Sequence, residues 1–160
     1  MKVLLINPPG WVGDRIPLGY DLVPSVPLGL GYLASTMESE GITAKIVDMD
    51  WGGFSKEELV DMISKFDPDI IGITSFTSNY ANAVDIAKAA KSHNPNIKIV
   101  FGGVHATFIH RDVLHTIPEV DMVVSRKCCN FVAALYPTII TLRPSLNTFY
   151  LLPTPHLYLS

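Results

Sequence analysis

Lys2-Val-Leu-Leu-Ile-Asn7, followed at once by Pro8-Pro9-Gly10, is the stretch that decides the fold. A continuous run of aliphatic residues without polar alternation is typical of a parallel strand that is buried on both faces. Proline cannot donate to a strand ladder and glycine allows a turn, so the strand is predicted to end at Asn7. The first predicted element is therefore a central strand whose carboxyl end opens into a loop.

Strand-like and helical patterns alternate along the chain after this strand. The further predicted strands are Ala44–Asp48, Asp69–Thr74, Ile97–Phe101 and Val120–Val124. Helical patterns separate them at residues 27–39, 55–66, 82–91 and 106–114. Because such alternation requires crossover connections between parallel strands, we predict an α/β fold. The expected architecture is Rossmann-like (flavodoxin-like), with a parallel five-stranded sheet and helices on both faces.

Length and composition favour one small domain with a large core. A chain of 160 residues buries about 70% of its unfolded surface. Hydrophobic residues make up 48% and charged residues 17%, and a charged fraction below the usual ~25% favours a sheet buried on both faces. The net charge of −3 without a long basic run argues against nucleic-acid binding. The apolar start is too short for a signal peptide or a membrane span, so we expect a cytoplasmic location.

The pattern changes abruptly near residue 125. No Asp or Glu follows Asp121, and four prolines between residues 137 and 155 exclude a long amphipathic helix there. We therefore expect one domain at residues 1–124 and an atypical tail at residues 125–160. The change favours a truncated or frameshifted reading frame, and a tail that associates with a membrane or a partner stays open as an alternative.

Candidate ligand-binding residues follow the predicted strands, because ligands of open α/β sheets bind outside the carboxyl ends of the strands. The four loops of interest are Asn7-Pro8-Pro9, Asp48 to Gly53, Ser75 to Ser78, and Gly102 to Thr107. Gly102 and Gly103 would let a bulky ligand approach the backbone closely, although a tight turn explains a glycine pair equally well. The loops thus predict a ligand site at one edge of the sheet.

The side chains of these loops each leave two interpretations open. The hydroxyl groups of Ser75 and Thr77 can bond a polar part of a ligand, whereas Thr77 or Ser78 could instead cap the helix that follows. Asp48 and Asp50 suit either a ligand site or a solvated strand end.

Three stretches resemble the cobalamin-binding domain at the N-terminus of B12-dependent radical-SAM proteins. They are Asn7-Pro8-Pro9, Pro27-Leu-Gly-Leu-Gly-Tyr-Leu-Ala34 and Gly102-Gly-Val-His-Ala-Thr107. The last stretch follows the Gly-Gly-x-His-x-Thr pattern of this family, whose members include anaerobic magnesium-protoporphyrin ester cyclases and radical-SAM methyltransferases. The resemblance covers about residues 1–124. It implies cobalamin as the cofactor, with the nucleotide tail of cobalamin lying beside Gly102 and Gly103.

The resemblance also implies which residues bind the cofactor. They are Asn7, Pro8, Pro9, Asp48, Asp50, Gly53, Ser75, Thr77, Gly102, Gly103 and His105. Cobalamin proteins that use a histidine on cobalt carry it in an Asp-x-His-x-x-Gly pattern, and here Asp50 stands at the histidine position. A carboxylate is not the neutral nitrogen donor of such sites, so the resemblance implies cobalamin without a lower-face histidine.

Other residues are expected near the cofactor but not on cobalt. His105 is expected to stabilise its turn or to lie next to the ligand. Trp11, Tyr20 and Trp51 follow predicted strands and could cover a flat macrocycle or pack on their own loops.

The chain does not contain the cysteine motif of radical-SAM catalysis. A [4Fe–4S] cluster of that type needs Cys-x-x-x-Cys-x-x-Cys, whereas the two cysteines here are Cys128 and Cys129. We therefore expect no [4Fe–4S] cluster, no SAM, no catalytic residues and no metal-ligand set in this chain. The expected partners are cobalamin and a radical-SAM catalytic domain or chain. Two alternatives remain: a flavodoxin-like binder of flavin or another nucleotide, and a non-catalytic remnant without a ligand.

Overall fold

A computed structural model describes residues 1–10, 26–52 and 55–124. One parallel sheet organises these residues. Its strands are β1 (Lys2–Asn7), β2 (Thr43–Asp48), β3 (Ile70–Thr74), β4 (Lys98–Gly102) and β5 (Met122–Val123). They pair in the order β2-β1-β3-β4-β5, with every pair parallel. This is the flavodoxin-like strand order, and the predicted α/β fold with a five-stranded parallel sheet is confirmed.

Helices pack on both faces of the sheet, as predicted. The helices in the described ranges are α1 (Leu28–Ser39), α2 (Met49–Gly52), α3 (Lys56–Phe66), α4 (Tyr80–His93), α5 (Val104–Phe108) and α6 (His110–Thr116). Leu4 and Ile6 of β1 join the core cluster that contains residues of α3 to α6. Val3 and Leu5 point the other way, into the cluster that contains α1. Both faces of β1 are therefore buried, which explains its uninterrupted aliphatic sequence.

Two predicted segments differ from the structure. The predicted loop from Asp48 to Gly53 contains the short helix α2, whose first turn is stabilised because the Asp48 carboxylate accepts the Asp50 N–H at 3.2 Å. The helix predicted at residues 106–114 is two short helices that meet at Ile109. In addition, α4 begins at Tyr80, two residues earlier than predicted.

The predicted start of α3 at Ser55 is confirmed, and its end groups are well satisfied. The Ser55 hydroxyl accepts the Glu58 N–H at 3.1 Å, and the Glu58 carboxylate accepts the Ser55 N–H at 2.9 Å. This reciprocal capping box uses two donors that a helix start otherwise leaves unpaired.

The strand order places the switch point between β1 and β3. The chain moves from β1 to β2 on one side and then returns to β3 on the other side of β1. The loops that leave β1 and β3 therefore diverge, and a crevice opens between them at the carboxyl edge of the sheet.

Among the helices of the described ranges, none has the length and apolar character needed to cross a membrane.

Candidate ligand-binding cleft

A cleft of about 530 Å³ lies at the carboxyl ends of β1, β3 and β4. Its lining from the sheet includes Leu5, Asn7, Gly72, Thr74, Val100 and Gly102. The start of α1 forms another wall through Pro27, Leu30 and Leu33. The lining is mainly apolar with a few polar groups, which is the usual character of a cofactor site.

The end of β1 and the residues directly after it are fixed on one side by two aspartates, the last residue of β2 and one in α2. The Asn7 side-chain amide donates to Asp48 Oδ1 at 2.9 Å. The backbone N–H of Gly10 donates to Asp50 Oδ1 at 2.8 Å. Asp50 lines the cleft, whereas Asp48 lies behind Asn7 and outside the cleft lining. The Asp48 carboxylate therefore joins the ends of β2 and β1, and the Asp50 carboxylate ties α2 to Gly10 at one rim of the cleft.

Two asparagines at the start of α4 fix the same loop from the opposite side. Asn79 Nδ2 donates to the carbonyl of Pro8 at 3.4 Å, and Asn82 Nδ2 donates to the carbonyl of Pro9 at 2.8 Å. Asn79 is 3% exposed, and its Oδ1 also accepts the Phe76 N–H at 2.7 Å. Residues 8–10, which form this part of the rim, are thus held between α2 and α4.

Three glycines form the narrow part of the cleft, and each is needed for a different reason. Gly103 has φ +92°, and a Cβ there would lie 2.6 Å from the Ser75 carbonyl oxygen and 2.8 Å from the Ser75 nitrogen. A Cβ on Gly102 would meet nothing within 4 Å, so the cleft is open above it. A Cβ on Gly72 would lie 2.9 Å from Leu5 Cδ2. Gly103 therefore allows close packing of two loops, and Gly102 leaves space for a ligand.

Ser75 carries a hydroxyl without an internal partner. The residue is fully buried, and within the described part of the chain its Oγ makes no hydrogen bond. Its backbone is held tightly, because its N–H donates to the Gly102 carbonyl at 2.8 Å and its carbonyl accepts the His105 N–H at 3.1 Å. A buried hydroxyl without a partner is costly and usually marks a ligand or water site.

The Ser75→Ala variant removes an unpaired buried hydroxyl. We therefore expect the unfolding free energy of this ligand-free variant to equal that of wild type or to exceed it by up to about 1 kcal/mol. Ser55→Ala is the matched control, and it should lose about 1 kcal/mol because its hydroxyl caps α3. Urea unfolding followed by circular dichroism measures both values. If Ser75→Ala destabilises as much as Ser55→Ala, the Ser75 hydroxyl has a structural partner and our interpretation fails.

His105 lies beside the cleft and not in its lining. Its Nδ1 is 3.1 Å from Thr77 Oγ1, and its ring centroid is 4.5 Å from that of Tyr80. Burial, followed by the negative charge of Asp112, raises the pKa of the Tyr80 hydroxyl above its ordinary value, so this phenol is neutral at physiological pH.

The predicted capping of α4 by Thr77 or Ser78 is wrong, since Asn79 is the N-cap residue.

The structure brings together part of the set of site residues that the sequence predicts. The cleft lining contains Asn7, Pro8, Asp50, Gly102 and Gly103. The predicted residues outside the lining are Pro9, Asp48, Ser75, Thr77 and His105. Gly53, Trp11, Tyr20 and the tail at residues 125–160 lie outside the described residues. Trp51 belongs to α2, and its side chain also lies outside the described part.

Sequence reasoning missed Gly72 and the two asparagines of α4. A glycine in the interior of a strand often marks a close approach of a ligand, so Gly72 carried a usable signal. Asn79 and Asn82 carried no such signal, because their partners lie 71 and 73 residues away.

Among the described residues, no group of three or more His, Cys, Asp or Glu side chains could hold a metal ion.

Comparison with known proteins gives three findings. The profile of the family described as "B12 binding domain" matches residues 21–129. An uncharacterised methyltransferase of Pyrococcus horikoshii is 39% identical over 124 residues, which cover 78% of this chain and 26% of that protein. The anaerobic magnesium-protoporphyrin IX monomethyl ester cyclase of Rubrivivax gelatinosus is 32% identical over 126 residues, covering 78% of this chain and 22% of that protein.

A solved structure shares the fold. The cobalamin-dependent S-adenosylmethionine radical enzyme OxsB, with aqua-cobalamin and S-adenosylmethionine bound, superimposes with a TM-score of 0.69 at 19% identity. The match covers 87% of this chain and 18% of that chain. This chain spans about a quarter of the length of the curated relatives it matches.

Proposed function

The chain belongs to the B12-binding domain family, and from this premise we propose that it binds one cobalamin in the cleft at the carboxyl ends of β1, β3 and β4. The observation that carries the proposal is the open space above Gly102 in a mainly apolar cleft at the switch point of the sheet. In this proposal, a flat aromatic group of the ligand lies in the narrow part of the cleft.

The residues of the cleft fit the nucleotide tail of cobalamin. Leu5, Val100 and Leu30 offer apolar contact to a flat base, and Gly102 leaves room for it beside the sheet. Thr74 and Ser78 of the lining carry hydroxyl groups, which can donate to or accept from a heterocyclic nitrogen or a ribose oxygen. The macrocycle would then lie over the rim that Asn7, Pro8 and Asp50 form.

The lower face of the cofactor is proposed to have no protein ligand on cobalt. Asp50 stands where related cobalamin proteins place histidine, and its Oδ1 accepts the Gly10 N–H at 2.8 Å. A carboxylate is a poor substitute for the neutral imidazole nitrogen of such sites. The role that the structure supports for Asp50 is therefore to tie the loop after β1.

We place the substrate chemistry in a radical-SAM catalytic domain or chain that acts together with this one. Two observations support this: the match covers about a quarter of each curated relative, and Cys128-Cys129 does not provide the three-cysteine spacing of a radical-SAM cluster. Bound cobalamin supplies a cobalt centre that can carry a methyl group or pass electrons. The residues of this chain would bind and orient that cofactor and limit the access of water to its lower face.

A titration of the purified chain with hydroxocobalamin tests the binding proposal. We expect the visible absorption spectrum of the cofactor to change with a stoichiometry of one cobalamin per chain. The same titration with flavin mononucleotide serves as the control for a flavodoxin-like binder. Binding of flavin without binding of cobalamin would overturn the proposal.

The Asp50→His variant tests the assignment of the lower face. It restores the histidine at the position that coordinates cobalt in related proteins, so we expect a nitrogen ligand to appear in the electron paramagnetic resonance spectrum of bound cob(II)alamin. The wild-type chain should give a spectrum without nitrogen superhyperfine splitting. Asp50→Asn is the matched control, and it should resemble the wild type. Nitrogen splitting in the wild-type chain loaded with cob(II)inamide, which has no benzimidazole of its own, would show that a protein group is the ligand, and the assignment would be wrong.

A further inference from the structure

His105 joins the two loops that form the narrow part of the cleft. Its backbone N–H donates to the Ser75 carbonyl at 3.1 Å. Its Nδ1 lies 3.1 Å from Thr77 Oγ1. One residue of the loop after β4 therefore holds the loop after β3 at two points that are two residues apart.

The ring of His105 is confined on its other side by Tyr80. The two ring centroids are 4.5 Å apart with an interplanar angle of 52°, which is a normal packing distance for two aromatic rings. Thr77, Tyr80 and His105 are called the His105 clamp below. Because Thr77 and Tyr80 belong to consecutive segments, the clamp connects the loop after β3, the first residue of α4 and the helix α5.

The clamp sits next to the groups that would meet the nucleotide tail. Between its two attachment points on the loop after β3 lies Phe76, a residue of the cleft lining, and its first attachment point is Ser75 itself. Ser75 is already joined to Gly102 by a backbone hydrogen bond, so it is the position of Phe76 that depends on how firmly the loops are joined beyond Ser75. Gly103 allows the close approach, and the side chain of His105 limits movement apart.

We infer that His105 is a positioning residue: its hydrogen bond with Thr77 holds Phe76 in the cleft lining, where the nucleotide tail of cobalamin is proposed to bind, and His105 itself does not touch the ligand. This inference rests on the proposed function and adds a role for a residue outside the cleft lining. A purely structural role of His105 would affect binding of the whole ligand, whereas the proposed role affects binding of the nucleotide tail.

The test compares cobalamin with cobinamide, which has the macrocycle without the nucleotide tail. His105→Ala and Thr77→Val should each weaken cobalamin binding roughly three- to tenfold, the loss expected for one hydrogen bond. Because both variants break the same contact, the double variant should bind about as weakly as the weaker single variant. Cobinamide binding should stay within about twofold of wild type, since the tail is absent. Isothermal titration calorimetry measures all of these dissociation constants.

Conservative variants and a distant histidine are the controls. His105→Asn keeps a polar atom near the place of Nδ1, and Thr77→Ser keeps the hydroxyl, so both should recover most of the affinity. His115→Ala changes an exposed histidine of α6 and should bind like wild type. Thr77 is exposed, so Thr77→Val gives a folded variant for the comparison even if His105→Ala unfolds.

Two results would overturn the inference and leave the proposed function intact. Wild-type affinity for cobalamin in both Thr77→Val and His105→Ala would show that the clamp does not position the tail site. Equal losses for cobalamin and cobinamide would show a general structural role instead. Failure of the wild-type chain to bind cobalamin would overturn the proposed function, and the inference with it.

Discussion

The Gly103→Ala variant is expected to lose about 2–4 kcal/mol of unfolding free energy, since it combines a backbone conformation that is almost restricted to glycine with a clash. Gly103 has φ +92° and ψ 178°. Its added Cβ would lie 2.6 Å from the carbonyl oxygen of Ser75. That oxygen belongs to the backbone and accepts the His105 N–H, so it cannot move without breaking a hydrogen bond.

Gly102→Ala is the matched control for this prediction. The two glycines are adjacent, but Gly102 has no positive φ, and a Cβ there would meet nothing within 4 Å. We expect its unfolding free energy to stay within about 0.5 kcal/mol of wild type, as for substitutions that remove no contact. Urea unfolding of the ligand-free proteins measures both. Equal stability of the two variants would contradict the packing described for the loop after β4.

The Gly102→Val variant is expected to bind cobalamin roughly ten- to a hundredfold more weakly than wild type, because overpacking a filled site costs about 1–3 kcal/mol. The valine side chain would occupy the open space in the cleft, which is the space assigned to the nucleotide tail. Valine is well suited to the end of a strand, so the ligand-free variant should fold normally.

Gly31→Val controls for the substitution itself. Gly31 lies on α1, outside the cleft lining, and a Cβ there also meets nothing within 4 Å. Equilibrium dialysis with hydroxocobalamin should give it wild-type affinity. If Gly102→Val also binds like wild type, the ligand does not lie above Gly102, and the assignment of the narrow part of the cleft is wrong.

The fold could be predicted from sequence because its main determinant is local. The uninterrupted aliphatic run of β1 reflects burial on both faces, and the capping box at Ser55 marks the start of α3 within four residues. The helix predicted at residues 106–114 was less accurate. It breaks at Ile109 into α5 and α6, and no glycine or proline marks that break in the sequence.

The candidate site could be predicted only in part, because its geometry depends on contacts between distant segments. The sequence shows Gly102 and Gly103 as a glycine pair after a strand, but the different roles of the two glycines depend on the position of Ser75. Asp50 was recognised as a departure from a histidine pattern, whereas its bond to Gly10 spans 40 residues. No local pattern indicates such a bond.

For His105 too, the sequence indicates the neighbourhood of the residue but not its contacts. The sequence places it in a Gly-Gly-x-His-x-Thr pattern and suggests a position near the ligand. The structure instead pairs its ring with Thr77, 28 residues earlier in the chain, and leaves it outside the cleft lining. We therefore propose that His105 positions the loop that meets the cofactor and does not contact the cofactor itself.

The most direct test of the central claim is a calorimetric comparison of cobalamin and cobinamide binding to the wild-type chain. The claim is that the cleft over Gly72 and Gly102 takes the nucleotide tail of cobalamin. It predicts one cobalamin per chain, with an affinity at least about tenfold higher than that for cobinamide, because burial of the base adds apolar contact. Equal affinities for the two compounds, or no binding of cobalamin, would contradict the claim.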